Sequence, residues 1–92
     1  MASKDLQRIR QSVLLGRLKL THHAIEEMDA DDLEILDIES AMMTGKIVQK
    51  QKHQVVMKYR ICGKSISSAM MTVVGRFTES NYFLIITVFR GE

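Results

Sequence analysis

At Gly45-Lys46 the hydrophobic repeat of the chain changes, and that change limits the fold more than any other feature. Before it, apolar residues recur three or four apart, as on one face of a helix; after it they alternate, as on one face of a strand. Leu6, Ile9 and Val13 mark a first helix over about residues 5–16, with Gly16 placed to end it. Leu18-Lys19-Leu20 alternates briefly, as an extended connector does. Thr21 is positioned to cap a second helix over about 22–29, with Ala24, Ile25 and Met28 inward. Asp37 is positioned to cap a third over about 38–44, with Ile38, Ala41 and Met42 inward and Gly45 at its exit.

The alternating half predicts four strands, at about 46–52, 55–62, 66–77 and 82–90. Ile47 to Gln51 reads as an edge. In the second strand Val55, Met57, Tyr59 and Ile61 alternate with Val56, Lys58, Arg60 and Cys62. Tyr82 to Phe89 is apolar on both faces, so it belongs inside the sheet with helices over at least one side. Helices followed by a meander give an α+β fold. The expectation is N-terminal helices on a four-stranded, mainly antiparallel sheet, in two layers and as one domain over residues 1–92.

A chain of 92 residues is long enough for one modest core, and 46% apolar with 26% charged residues is the balance of a soluble globular protein. No apolar run reaches membrane-spanning length, and MASKDLQRIRQ lacks the apolar centre of a signal peptide. The lone Cys62 excludes an internal disulfide. These features are expected of a cytoplasmic protein with no membrane partner.

The net charge of +2 is too small to indicate nucleic acid by itself, but its distribution is uneven. Cations crowd the first segment and the stretch Lys46 to Lys64, while acids concentrate between Glu26 and Glu39. That asymmetry suggests a basic surface opposite an acidic one, suited to RNA or to an acidic partner. Separate solvated faces are the plainer alternative.

The stretch LTHHAIEEMDADD raises the question of a metal. Neighbouring helical residues point about 100° apart, so His22 and His23 cannot both ligate one ion from one helix. Pairs three or four apart give two ligands, short of the three or four that zinc needs. Asp29 and Asp31 copy the start of a calcium loop, but Leu33 and Glu34 stand where an oxygen ligand and a turn glycine are required. Neither a metal nor another cofactor is expected.

The motifs Leu20-Thr21, His23-Ala24, Glu26-Glu27-Met28, Asp32-Leu33, then Asp37, Glu39-Ser40, Thr44-Gly45 and Ile47-Val48 follow in a recognisable order. The pattern continues through Gln51-Lys52, Lys58-Tyr59, Gly63, Val73-Val74 and Ile85-Ile86-Thr87-Val88. It resembles the DUF4258 family of small bacterial and archaeal proteins, a domain of unknown function, from residue 18 to about 90. Members of that family resemble partners of small zinc-finger antitoxins, and their helix-then-sheet plan resembles RelE-like ribonuclease toxins. The resemblance implies a metal-independent endoribonuclease toxin that cleaves RNA by 2′-hydroxyl attack, with a small zinc-finger antitoxin as partner. The alternative is a non-catalytic RNA- or protein-binding module of the same fold. Self-association into a homo-oligomer stays open.

Under the ribonuclease reading His23 is the base that takes the 2′-hydroxyl proton, and Lys58 and Arg76 are the catalytic cations that steady the phosphate. Arg60, two residues from Lys58 and on the same strand face, is the RNA-binding candidate. Thr87 is a candidate site hydroxyl, and Thr21 is the helix cap that places His23. Against these stand bland roles: His23 packed on the sheet, Lys58 and Arg60 as charges that discourage edge pairing, and Thr87 as a β-branched filler. The acids read as a solvated face, and Cys62 as a small buried apolar group. Met42-Met43 and Met70-Met71 should each contribute one buried and one more exposed side chain. The sequence departs from the family pattern at Cys62, where arginine is common, at Arg76, where lysine is usual, and at Phe89, where a tyrosine would supply a hydroxyl.

Overall fold

A computed structural model describes residues 3–91. Three helices, α1 (Lys4–Leu14), α2 (His22–Ala30) and α3 (Ile35–Thr44), lie with five strands, β1 (Leu18–Leu20), β2 (Lys46–His53), β3 (Val56–Lys64), β4 (Met70–Phe77) and β5 (Phe83–Arg90). The sheet order is β1-β5-β4-β3-β2. Neighbours are antiparallel except β1, which runs parallel to β5. The architecture is therefore α+β as expected, but the sheet is five-stranded and mixed. The connector Leu18–Leu20 is the extra strand, set opposite Phe83, Leu84 and Ile85. Three residues carry too little period to separate a strand from a connector, and only the long-range pairing decides it.

The helix ends follow local chemistry. Ser3 caps α1 by accepting from the Leu6 N–H at 3.1 Å, and Gly16 takes a left-handed φ of 68° after its last turn. Thr21 caps α2 through the Ala24 N–H, as expected. α3 begins at Ile35, earlier than expected, because Glu34 is the cap residue and Asp37 is the third position of a capping box. Asp37 instead accepts from the Glu34 N–H at 2.9 Å and, with its other oxygen, from the Ile66 N–H at 3.1 Å. β4 also starts late. Ser65 to Ala69 closes a turn, with Ser68 at φ 67°, which leaves Ile66 exposed instead of in a strand.

All three helices pack on one face of the sheet. Ile9 of α1, Ala24 of α2 and Ile38, Ala41 and Met42 of α3 meet Tyr59, Ile61, Met71, Val73, Phe83, Ile85 and Val88. Ile25, expected inward, is exposed, and Met28 alone accompanies Ala24 from that stripe. Met42 and Met71 are fully buried while Met43 and Met70 are exposed, as expected. α3 rides close on β3 because two positions lack a side chain. A Cβ on Gly63 would run into the Ala41 carbonyl, and one on Gly45 would lie 2.5 Å from the Ala41 and Cys62 carbonyl oxygens. Arg10 of α1 then donates to the Gly45 and Met42 carbonyls, which ties α1 to the C-terminal end of α3.

β1 covers only the first part of the β5 edge, and α2 takes over the rest. Thr21 Oγ1 donates to the Ile86 carbonyl, Glu27 Oε1 accepts from the Val88 N–H at 3.3 Å, and Asp31 Oδ2 accepts from the Arg90 N–H at 3.1 Å. A helix thus stands where a strand would, supplying side-chain groups in place of a ladder. Glu27 and Asp31 are therefore not the solvated acids of the sequence reading. β2 at the opposite side has no such cover and is exposed along almost its whole length.

Candidate nucleic-acid interface

Alternation fixes what the uncovered face carries. Because Tyr59, Ile61, Val73, Gly75 and Ile85 point to the helices, their neighbours point away from them. The register sorts these into rows across the sheet. Gln49, Arg60, Val74 and Thr87 form one row, and Lys46, Cys62, Thr72 and Phe89 the next. In a third, Gln51 lies opposite Lys58, while Arg76 lies opposite Leu84 and Leu84 opposite Lys19. Lys19, Lys46, Lys58, Arg60 and Arg76 therefore share this face. Among the described residues no strand carries an aspartate or glutamate.

The structure puts Lys58 and Arg60 on one face, as their spacing implied, and the register adds Arg76 and Thr87 to it. Lys58 and Arg60 are exposed, and Arg76 and Thr87 half-buried. Arg60 lies with its guanidinium 5.9 Å from the Phe89 ring, and Lys19 with its ammonium 4.7 Å from the Tyr82 ring. Cys62 is half-buried on this face beside Lys46 and not enclosed in the core. The pocket between Gln49, Gln51, Lys58 and Arg60 measures about 40 Å³, which is room for about one water. An extended ligand on this face would lie along it and not enter it.

His23 is placed differently. It shares a stripe of α2 with Glu27 and Asp31, four residues apart, and that stripe follows the β5 edge. Its Nε2 is 3.2 Å from Glu27 Oε1, and its side chain is 64% exposed. His22 makes the equivalent contact to Glu26 at 3.0 Å and is still more exposed. Lys58 and Arg60 stand on β3, two strands in from β5, which is about 10 Å at the usual strand spacing. The expected catalytic trio is thus divided: Lys58 and Arg76 share the open face, and His23 stands at its far margin.

Three contributors escaped the sequence reading, the first being Lys46, which stands opposite Cys62 on this face. Lys19 joins the face only because β1 pairs with β5. Arg8 of α1 reaches the far end of the sheet, where its guanidinium carbon sits 3.7 Å from the Phe77 ring centroid. No local pattern in the first helix signals that contact. Beside it Asp5 makes an ion pair with Lys50 at 2.7 Å, which holds the Lys50 ammonium protonated above its ordinary range. Burial, with Asp5 nearby, likewise pushes the Tyr59 hydroxyl up. Among the described residues no cluster of three or more His, Cys, Asp and Glu could hold a metal ion, and no helix is long and apolar enough to cross a membrane.

A family model described as "Domain of unknown function (DUF4258)" matches residues 20–90. The chain belongs to the DUF4258 family. No curated protein and no solved structure matches it. The DUF4258 match takes in α2, α3 and β2 to β5, and with them His23, Lys58, Arg60, Arg76 and Thr87. α1 lies outside it, and with it Asp5, Arg8 and Arg10.

Proposed function

We propose that this DUF4258 protein holds single-stranded RNA along the open face of its sheet. The observation that carries the reading is the sorting of charge. Lys19, Lys46, Lys58, Arg60 and Arg76 share a face without carboxylates, and the acids stand on helices and loops. Neighbouring strands about 4.8 Å apart, with outward side chains every second residue, about 6.6 Å, along each, offer cations at intervals that an extended phosphate backbone can follow, and Phe89 and Tyr82 add rings among them. Binding of this kind releases counterions, so affinity falls steeply with salt. A titration of mixed-sequence RNA at several salt concentrations tests it. Absence of binding at low salt, or indifference to replacing Lys58 and Arg60, removes the reading.

The second reading, a metal-independent endoribonuclease of the toxin type, is favoured by one observation. Glu27 is held by the Val88 N–H and in turn faces His23, an arrangement that orients an imidazole to accept a proton. In that chemistry the 2′-hydroxyl loses its proton to His23 and attacks the adjacent phosphorus, the bond to the 5′-oxygen breaks as that oxygen takes a proton from water, and a 2′,3′-cyclic phosphate and a 5′-hydroxyl remain. Lys58 and Arg76 would then grip phosphates of the strand along the open face. The helix-over-sheet plan, similar to that of RelE-like toxins, suits this role, and so does a small zinc-finger antitoxin that covers the basic face or pairs with the bare β2 edge. Purified protein with RNA and excess chelator, wild type beside His23→Ala, separates the two: cleavage lost with His23 supports the enzyme, and binding without cleavage by either supports the module.

A further inference from the structure

At one end of the sheet the ladder between β3 and β4 stops at Tyr59 opposite Gly75, although both strands run on, to Val56 and to Phe77. β3 stays paired with β2 as far as Val56 opposite His53, and β4 with β5 as far as Phe77 opposite Phe83. The sheet therefore splits into two halves there. A cleft of about 350 Å³ opens between them, with Arg8, Met57, Tyr59, Arg76, Phe77 and Glu79 among its walls. That volume is at the lower end for small-molecule sites, about 300–1,000 Å³.

The cleft is equipped for a particular chemistry. Both guanidiniums are positioned through Phe77: Arg8 stacks on its ring and donates to Asn81 Oδ1 at 2.7 Å, and Arg76 donates to its carbonyl at 3.4 Å. Neither has a carboxylate partner among the described residues, where the ion pairs formed are His22–Glu26, His23–Glu27 and Lys50–Asp5. Each guanidinium has five N–H groups, so donors remain for a ligand, and the planar fork matches phosphate. Val56 and Met57 add an apolar wall on the β3 side. Glu79 on the opposite lip would accept from a ring amino group, as carboxylates do from cytosine.

We infer that this cleft binds a nucleoside monophosphate, its phosphate between Arg8 and Arg76 and its base against Val56 and Met57. The site shares Arg76 with the open face but does not depend on RNA lying along it. It joins a residue of α1, outside the matched family region, to residues within that region. The same chemistry is offered by a free nucleotide and by the 5′-phosphorylated end of an RNA strand.

The test is a calorimetric and NMR titration of the full chain with adenosine 5′-monophosphate, adenosine and inorganic phosphate in turn. The nucleotide should bind about tenfold or more tighter than either fragment, and Arg8→Gln should weaken it by about the same factor, the cost of a lost charged hydrogen bond. Amide signals of Met57, Phe77 and Glu79 should shift while those of Gln49 and Thr87 stay. Lys58→Gln, on the open face, should leave nucleotide binding intact, so failure of the RNA reading and failure of this one are told apart. Arg8→Lys, which keeps the charge but not the fork, should lose most of the affinity, and wild-type signal mapping decides the matter should Arg8→Gln unfold. A 5′-phosphorylated oligonucleotide that binds tighter than its 5′-hydroxyl counterpart, and tighter than the mononucleotide, would make the ligand an RNA end; equal binding of the two oligonucleotides would make it the free nucleotide. Equal affinity for adenosine and its monophosphate, shifts confined to the open face, or no saturation at millimolar nucleotide would each overturn the assignment.

Discussion

The Thr21 hydroxyl is the smallest group on which the placement of α2 depends, and its removal has a predictable cost. It accepts from the Ala24 N–H at 3.1 Å and donates to the Ile86 carbonyl at 3.2 Å. Ile86 is the unpaired residue of a bulge, since Val74 faces Thr87 and Gly75 faces Ile85. One oxygen therefore caps the helix and satisfies the strand where it breaks its ladder. Loss of the cap costs about 1 kcal/mol, and loss of the second bond about 1 kcal/mol more. Thr21→Ala should therefore lower stability by about 2 kcal/mol. For a chain of this size that corresponds to a fall in Tm of about 8–16 °C. Urea denaturation is the assay, and the m-value should not change, because the surface exposed on unfolding is the same. Thr21→Ser keeps the hydroxyl and should recover most of the loss, whereas Thr21→Val keeps the shape and should recover little. A valine variant as stable as wild type, or a serine variant as weak as alanine, would refute the reasoning.

In RNA titrations, Lys58→Gln and Arg60→Gln should each reduce the magnitude of the log–log salt slope by about one unit, while Lys50→Gln, whose ammonium is engaged by Asp5, should not. Gly63→Ala should destabilise by at least about 1–3 kcal/mol in the same urea assay, because the added methyl meets backbone and not a movable side chain. Glu27→Gln keeps an acceptor for the Val88 N–H and should lose less stability than Glu27→Ala, while both weaken any His23-dependent cleavage. Tyr59 and Lys50 both keep their protons to higher pH in the folded chain than their ordinary values of 10.0 and 10.5. The folded state then binds more protons at alkaline pH, so their contribution is complete below about pH 10 and is lost as pH rises through the folded values. Denaturation midpoints across pH 8–11.5 should show that decline, less steeply in Tyr59→Phe.

The elements with a long period were readable from the sequence. Leu6 and Ile9, then Ile38, Ala41 and Met42, and the alternation from Val56 to Cys62 all lie where their spacing put them. What the sequence concealed depends on distant partners. Leu18–Leu20 becomes a strand only because β5 has a free edge, and Asp37 moves from cap to capping box because Glu34 and the Ile66 N–H are both within its reach. Ile25 looked buried because its period matches Ala24 and Met28, but α2 turns its Glu27 side to β5 and leaves Ile25 in solvent. The common face of Lys58 and Arg60 was legible, since alternation alone sets it, whereas Thr87 joins them only through the bulge at Ile86. The separation of His23 from that face was not, because it follows from strand order. Arg8 could not be found from sequence at all, since its stacking on Phe77 joins residues 69 apart in number.

The two sides of the sheet differ in what they can still bind, and this sets a limit on how copies could join. β2 presents an eight-residue edge whose outward-pointing backbone groups, on alternate residues, meet no further strand, whereas the far side ends in the three-residue β1 and in a helix whose side chains take β5 hydrogen-bonding groups. Two chains meeting β2 to β2 about a twofold axis would each consume their one long edge. The combined sheet would then be bounded by β1 and α2 at both ends, with too little ladder left to recruit a third chain. Strand-by-strand assembly through this edge would be self-limiting at the pair, whereas the same edge in a sheet open on both sides would invite fibres.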